Sequence, residues 1–129
     1  MARILVIDDS WTYRDAVSRR LEARGHAVSQ AKDGFDGIRL LESRVFDLVV
    51  TDILMPRQDG IEVILAANKL RPRPGILAVS GAGALGRPDY LRMAVELGAD
   101  WALDKTSSLA EMADTVETLL SKEPARLAG

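Results

Sequence analysis

The sequence predicts an α/β protein, a doubly wound (βα)5 arrangement, on three observations. Five short, β-branched runs alternate with longer amphipathic stretches. Two of those runs, Ile4–Ile7 and Leu48–Val50, are apolar without interruption, as strands buried on both faces of a parallel sheet must be. Helix start and stop residues fall between the runs where such a chain needs them.

The first strand is read over Arg3–Asp8. Tyr13–Arg24 follows as a helix with Tyr13, Val17 and Leu21 spaced every four residues, and Gly25 stands just past its end, where a left-handed residue is wanted. His26–Gln30 is the second strand, and Asp33–Gly34 precede the second helix. Asp47–Asp52 is the third strand, with Asp59–Gly60 ahead of the third helix. Gly75–Ser80 is the fourth. Pro88 falls where a first helical turn tolerates proline, and Gly98 follows the fourth helix. Asp100–Asp104 is the fifth strand. Ser108 with Glu111 forms a capping box for a last helix whose Leu109, Met112, Val116 and Leu119 line one face. Right-handed crossovers make the sheet doubly wound, with its ligand site beyond the carboxyl ends of the strands.

At 129 residues the chain is one domain, read as residues 1–121, with 122–129 a disordered tail or linker stub. Lys plus Arg number 17 and Asp plus Glu 19, a near-balance that leaves no footprint for direct contact with nucleic acid or membrane. The absence of cysteine excludes disulfide scaffolds, thiol catalysis and zinc–thiolate sites. His26, the single histidine, is read as a solvated turn residue. The first apolar run stops at Asp8–Asp9, far short of a signal or membrane segment, so a cytoplasmic location is expected.

The strand ends carry the functional signal. Strand one ends in Asp8–Asp9, strand three in Asp52 and strand four in Ser80, and Lys105 follows strand five. Taken singly, Asp9 or Ser80 would be a helix cap; polar groups of these types at four strand ends point to a site. Three carboxylates against one ammonium leave a net −2, which a hard divalent cation such as Mg²⁺ would neutralise.

Asp8–Asp9–Ser10, Asp52 in DILMPRQDG, Ser80 after ILAV and Lys105 in GADWALDK resemble the receiver domain of two-component response regulators, in its single-domain, chemotaxis-regulator form. The resemblance spans Ala2 to Leu120. It implies a flavodoxin-like fold with strand order 2-1-3-4-5 and makes Asp52 the phosphoacceptor. It implies Mg²⁺ bound by Asp9 directly, by Asp8 through water, by an Asp52 oxygen and by the Leu54 carbonyl. Ser80 and Lys105 would hold phosphoryl oxygens. The implied donor is a sensor histidine kinase or histidine phosphotransferase. The implied output is a protein partner read by the face of helix four, strand five and helix five, with Ser80 as trigger. Such a domain is a signalling protein rather than an enzyme, its chemistry limited to self-catalysed phosphotransfer and slow autodephosphorylation.

Three departures from the family pattern carry expectations. The family's Lys–Pro is Lys105–Thr106 here, which favours a trans bond and a differently aimed lysine. The aromatic switch position is Ala102, with Trp101 one residue earlier and therefore on the opposite face of the strand; both are switch or output candidates. Leu54 and Ala82 occupy the two positions that control water's approach to the phosphorus, and neither can orient a water, so slow hydrolysis is expected. Trp11, directly after the acidic pair, reads equally as docking surface or as an exposed ring. Two rival readings exist. Gly81–Gly86 matches G-x-G-x-x-G, a nucleotide-binding fingerprint, but lies too near the C-terminal end, and Arg87–Pro88 puts the helix start beyond the glycines. A receiver-like module that is never phosphorylated would have no need for all five polar site residues.

Overall fold

The computed structural model describes residues 1–53, 55, 59–81 and 89–121. Leu54, Ala82, the glycine motif beyond Gly81, Pro88 and the 122–129 segment lie outside the described residues. The element order is β1 Arg3–Ile7, α1 Trp11–Ala23, β2 Ala27–Ala31, α2 Gly34–Ser43, β3 Leu48–Asp52, α3 Asp59–Asn68, β4 Gly75–Ser80, α4 Asp89–Leu97, β5 Trp101–Asp104 and α5 Leu109–Ser121. The strands form one parallel sheet in the order β2-β1-β3-β4-β5.

Side-chain alternation along each strand divides the core into two layers. Ile4, Val6, Leu48, Val50, Leu77 and Val79 face α1 and α5, where Val17, Leu21, Met112 and Val116 meet them. Leu5, Ile7, Val49, Ile76 and Ala78 face the other way, onto Leu41 of α2, Ile64 of α3 and Ala94 of α4. Ile4, Leu5, Leu48, Ile76 and Leu77 are all 0% exposed. Burial of side chains of this size stabilises the fold by ~1.5–3 kcal/mol each relative to exposure. Among the described residues no helix is long and apolar enough to cross a membrane.

Caps set the helix ends. Ser10 accepts the Tyr13 N–H, Asp33 the Asp36 N–H at 2.8 Å, and Ser108 the Glu111 N–H at 3.0 Å. Gly25, at φ +93°, ends α1 in the left-handed region, and a side chain there would meet open space, so backbone conformation alone asks for glycine. The helix starts and His26 need correction. α3 begins at Asp59, so Asp59–Gly60 belong to the helix rather than preceding it; α2 likewise begins at Gly34 with Asp33 alone as its cap, and α1 begins at Trp11, two residues before Tyr13. A Cβ on Gly60 would collide with the Asp52 carbonyl and the Ile53 backbone, which is how α3 comes to pack directly against the end of β3. His26 is not solvated. Its side chain is 8% exposed, its Nδ1 accepts the Ala2 N–H at 3.1 Å, and its Nε2 lies 3.0 Å from Glu117 on α5.

Candidate functional site

Parallel strands deliver their last residues to one edge, and the order β2-β1-β3-β4-β5 sets the ends of β1, β3, β4 and β5 side by side. Asp8 follows β1 and is 1% exposed; Asp52 closes β3 at 2% and Ser80 closes β4 at 1%. Asp9 is exposed at the rim. Carboxylate oxygens of Asp8, Asp9 and Asp52 all lie within 4.8 Å of one another, a spacing that suits one hard cation with oxygen ligands.

Local bonds fix each group. Asp8 donates its N–H to the Ala31 carbonyl at 3.1 Å and accepts the Ser10 N–H on Oδ1 at 2.8 Å. The Ile53 N–H donates to the Val79 carbonyl at 2.8 Å, carrying the β3–β4 pairing one step past Asp52. The Lys105 N–H donates to the Ser80 carbonyl at 2.8 Å. These bonds make the pocket a continuation of the sheet rather than a set of loose loops.

Lys105 bridges the two buried carboxylates. Its Nζ lies 2.6 Å from Asp8 Oδ2 and 3.1 Å from Asp52 Oδ2. The Asp8 contact is a close ion pair, and Nζ also donates a hydrogen bond to Asp52. Burial would lower the lysine's pKa, but the bond to Asp8 and the charge of Asp52 outweigh it and hold the ammonium above its ordinary 10.5. The Lys105–Thr106 bond is trans, as expected. The expectation that a trans bond would aim the lysine elsewhere is wrong. Thr106 donates its N–H to Asp104 Oδ1 at 2.8 Å and Ser107 its N–H to the Asp104 carbonyl at 2.9 Å, closing a turn that still presents Lys105 to the pocket.

The buried Ser80 Oγ has no hydrogen-bond partner among the described residues. A buried hydroxyl left unpaired costs ~1–3 kcal/mol, so its position at the end of β4, beside the carboxylates, asks for a ligand oxygen. Trp101 and Ala102 separate as strand geometry requires. Trp101 is 56% exposed on the α5 side, and Ala102 packs into the layer that contains Ala94 and Leu97 of α4. Trp11 is an exposed ring, at 64%.

Two residues of the site escaped the sequence reading. Tyr13, taken there as a helix core position, sets its ring 4.6 Å from Lys105 Nζ. Burial first, then the charges of Asp8, Asp52 and Asp104, push its phenol pKa well above the ordinary 10.0, so the hydroxyl stays neutral. Arg14 donates from its guanidinium to the Asp8 carbonyl at 2.7 Å and from Nε to Gln30 Oε1 at 2.9 Å, tying α1 and the β2 edge to the pocket floor. No local pattern marks either one, because their partners come from other turns of the chain.

The model of the response regulator receiver domain matches residues 4–117. Over 121 residues the chain is 33% identical to response regulator MprA of Mycolicibacterium vanbaalenii, covering 93% of this chain and 51% of that protein. The chain thus spans about half the length of the curated relatives of this kind that it matches. A crystal structure of a receiver domain protein from Clostridium thermocellum superposes with TM-score 0.85 at 26% identity, over 97% of this chain and 98% of that one. A CheY-like receiver domain protein from Methanospirillum hungatei JF-1 gives TM-score 0.84 at 26% identity with the same coverage. Response regulators receive phosphoryl groups from kinases, and the cluster of Asp8, Asp9 and Asp52 fits the phosphorylation site of such a domain. With the fold, the acidic pocket and these matches in agreement, the chain belongs to the response regulator receiver domain family.

Proposed function

We propose that Asp52 accepts the phosphoryl group and that this charge change switches a protein-interaction surface. The observation that carries the reading is the convergence of three carboxylates, two of them bridged by the single ammonium of Lys105. Asp52 is the member that combines burial, contact with Lys105 and a place at the centre of the sheet edge, on β3. In the transfer, an Asp52 carboxylate oxygen forms the new bond to phosphorus. The bond from phosphorus to the donor histidine nitrogen breaks, and that nitrogen keeps the electron pair and takes up a proton. Lys105 opposes charge on the equatorial oxygens, and the Ser80 hydroxyl donates to one of them.

Asp8, Asp9, Asp52 and the Leu54 carbonyl are the groups that would hold Mg²⁺, and the bound ion supplies charge neutralisation for the entering phosphoryl group. The donor class is a histidine kinase or histidine phosphotransferase, and the reader is a protein that binds the α4–β5–α5 face. A cytoplasmic location belongs to the same reading. Acetyl phosphate with Mg²⁺ is expected to add one phosphoryl group, and beryllofluoride with Mg²⁺ to occupy the site. Labelling of Asp52→Asn equal to that of the parent would reject the assignment.

The phosphorylated form is expected to be long-lived, because Leu54 and Ala82 lack the polar atoms that orient an attacking water. Loss of that positioning slows hydrolysis by about one or two orders of magnitude, or ~1.4–2.8 kcal/mol. Decay after donor removal checks this. Leu54→Asn with Ala82→Glu is expected to accelerate it, and decay of the parent within seconds sinks the idea while leaving the acceptor assignment intact.

A further inference from the structure

We propose that Tyr13 is a positioning residue for phosphoryl transfer, its aromatic face holding the Lys105 ammonium over the pocket. The proposal rests on the phosphoacceptor reading and adds a residue to it. Lysine carries its charge on a flexible four-carbon stem, so the ammonium stays in one place only where contacts fix it. Among the described residues three groups do so: Asp8 Oδ2 at 2.6 Å, Asp52 Oδ2 at 3.1 Å and the Tyr13 ring at 4.6 Å from its centroid.

The three contacts differ in what competes with them. Both carboxylates are groups that a divalent cation or a phosphoryl group would engage, so both ion pairs weaken when the site is in use. Neither competes for the aromatic face. The attraction of an ammonium to a ring within about 6 Å of its centroid strengthens on desolvation, and here the lysine side chain is 16% exposed. Tyr13 is itself anchored, since α1 packs it against the apolar layer shared with α5. The loop after β5 has threonine where the family's pattern has proline, and the ring supplies a constraint on Lys105 that depends on no backbone isomer.

Two measurements test this. In the protein free of metal and phosphodonor, the Lys105 ε-methylene proton resonances are expected upfield in the parent and in Tyr13→Phe, and unshifted in Tyr13→Leu. Initial rates of labelling by acetyl phosphate with Mg²⁺ are expected to fall on the order of tenfold in Tyr13→Leu and to stay within about twofold in Tyr13→Phe. In the Lys105→Ala background Tyr13→Leu is expected to change nothing further. Should Tyr13→Leu fold poorly, pentafluorophenylalanine at position 13 keeps the shape and reverses the ring's electrostatics, and the same loss is expected. Equal labelling by parent and Tyr13→Leu, or an equal loss in the Lys105→Ala background, overturns the proposal. A parent that takes no label at all removes the phosphoacceptor reading itself, a separate result from either.

Discussion

The two ends of the sheet solve opposite problems. At the amino ends of the strands, polar groups are matched. The Arg3 N–H donates to Asp47 Oδ2 at 2.7 Å, His26 sits between the Ala2 N–H and Glu117, and the Ile76 N–H donates to Asp100 Oδ2 at 2.7 Å. Arg73 donates to Asn68 Oδ1 at 2.8 Å, to Asp100 Oδ2 at 3.0 Å and to the Gly98 carbonyl at 2.8 Å, joining α3, α4 and the start of β5. At the carboxyl ends two buried carboxylates share the Lys105 ammonium with Asp9 beside them, and the buried Ser80 hydroxyl has no hydrogen-bond partner among the described residues. The first end spends its polar groups on holding elements together. The second keeps them unbalanced, at a cost in stability, so that a cation and an anionic group find a site already built.

The largest expected effect tests the matched end. Arg73→Ala leaves the Asp100 carboxylate, the Asn68 amide and the Gly98 carbonyl each short of a donor, and is expected to lower unfolding free energy by ~2 kcal/mol. Labelling by acetyl phosphate is expected to be unchanged in the folded fraction. Urea unfolding and a labelling assay on one preparation check both. Lost labelling with intact stability would show that the two ends are not separable in this way.

That division also explains what the sequence could disclose. Strand ends were predicted to within a residue because both faces of β1, β3 and β4 are covered, which leaves continuous apolar runs. The pocket residues Asp8, Asp52, Ser80 and Lys105 were readable because a parallel sheet puts successive strand ends together whatever the loops do. The matched end was opaque. His26 and Glu117 stand 91 positions apart, and Arg73 and Asp100 stand 27 apart, so nothing local announces either pair. Tyr13 was read only in part for a related reason: its helical spacing with Val17 and Leu21 is real, and the same ring also faces Lys105 from a distant part of the chain. Gly60 looked like punctuation before a helix, whereas its lack of a side chain serves the approach of α3 to Asp52.

A smaller effect sharpens the account of the unbalanced end. Asp9 is exposed and stands beside two buried carboxylates, so Asp9→Asn without divalent cations is expected to leave stability unchanged or raise it. Mg²⁺ at ten times its dissociation constant is expected to stabilise the parent by ~1.4 kcal/mol, since it binds the folded chain alone. Most of that gain is expected to vanish in Asp9→Asn. Thermal melts with and without Mg²⁺ decide it, and an equal shift in both proteins would place the cation elsewhere.

The smallest effect is a pH signature of the same pocket. In the unfolded chain Tyr13 titrates near 10.0 and Lys105 near 10.5, and folding raises both. For Lys105 the raised value means that the fold favours the charged form, so its contribution is complete below 10.5 and is lost as pH climbs toward the folded value. For Tyr13 it means that the fold favours the neutral phenol. Above pH 10 the unfolded chain releases that proton while the folded chain keeps it, and stability again falls with rising pH. Both groups therefore act in one direction, destabilising the protein in alkali. Tyr13→Phe removes the phenol and keeps the ring, so its decline is expected to start later, nearer pH 10.5, where Lys105 takes over. Urea midpoints between pH 8 and pH 11 for the two proteins measure the difference between their profiles, in which the one other tyrosine, Tyr90, and the lysines cancel. Superimposable profiles would mean that Tyr13 feels neither the burial nor the carboxylates of the unbalanced end.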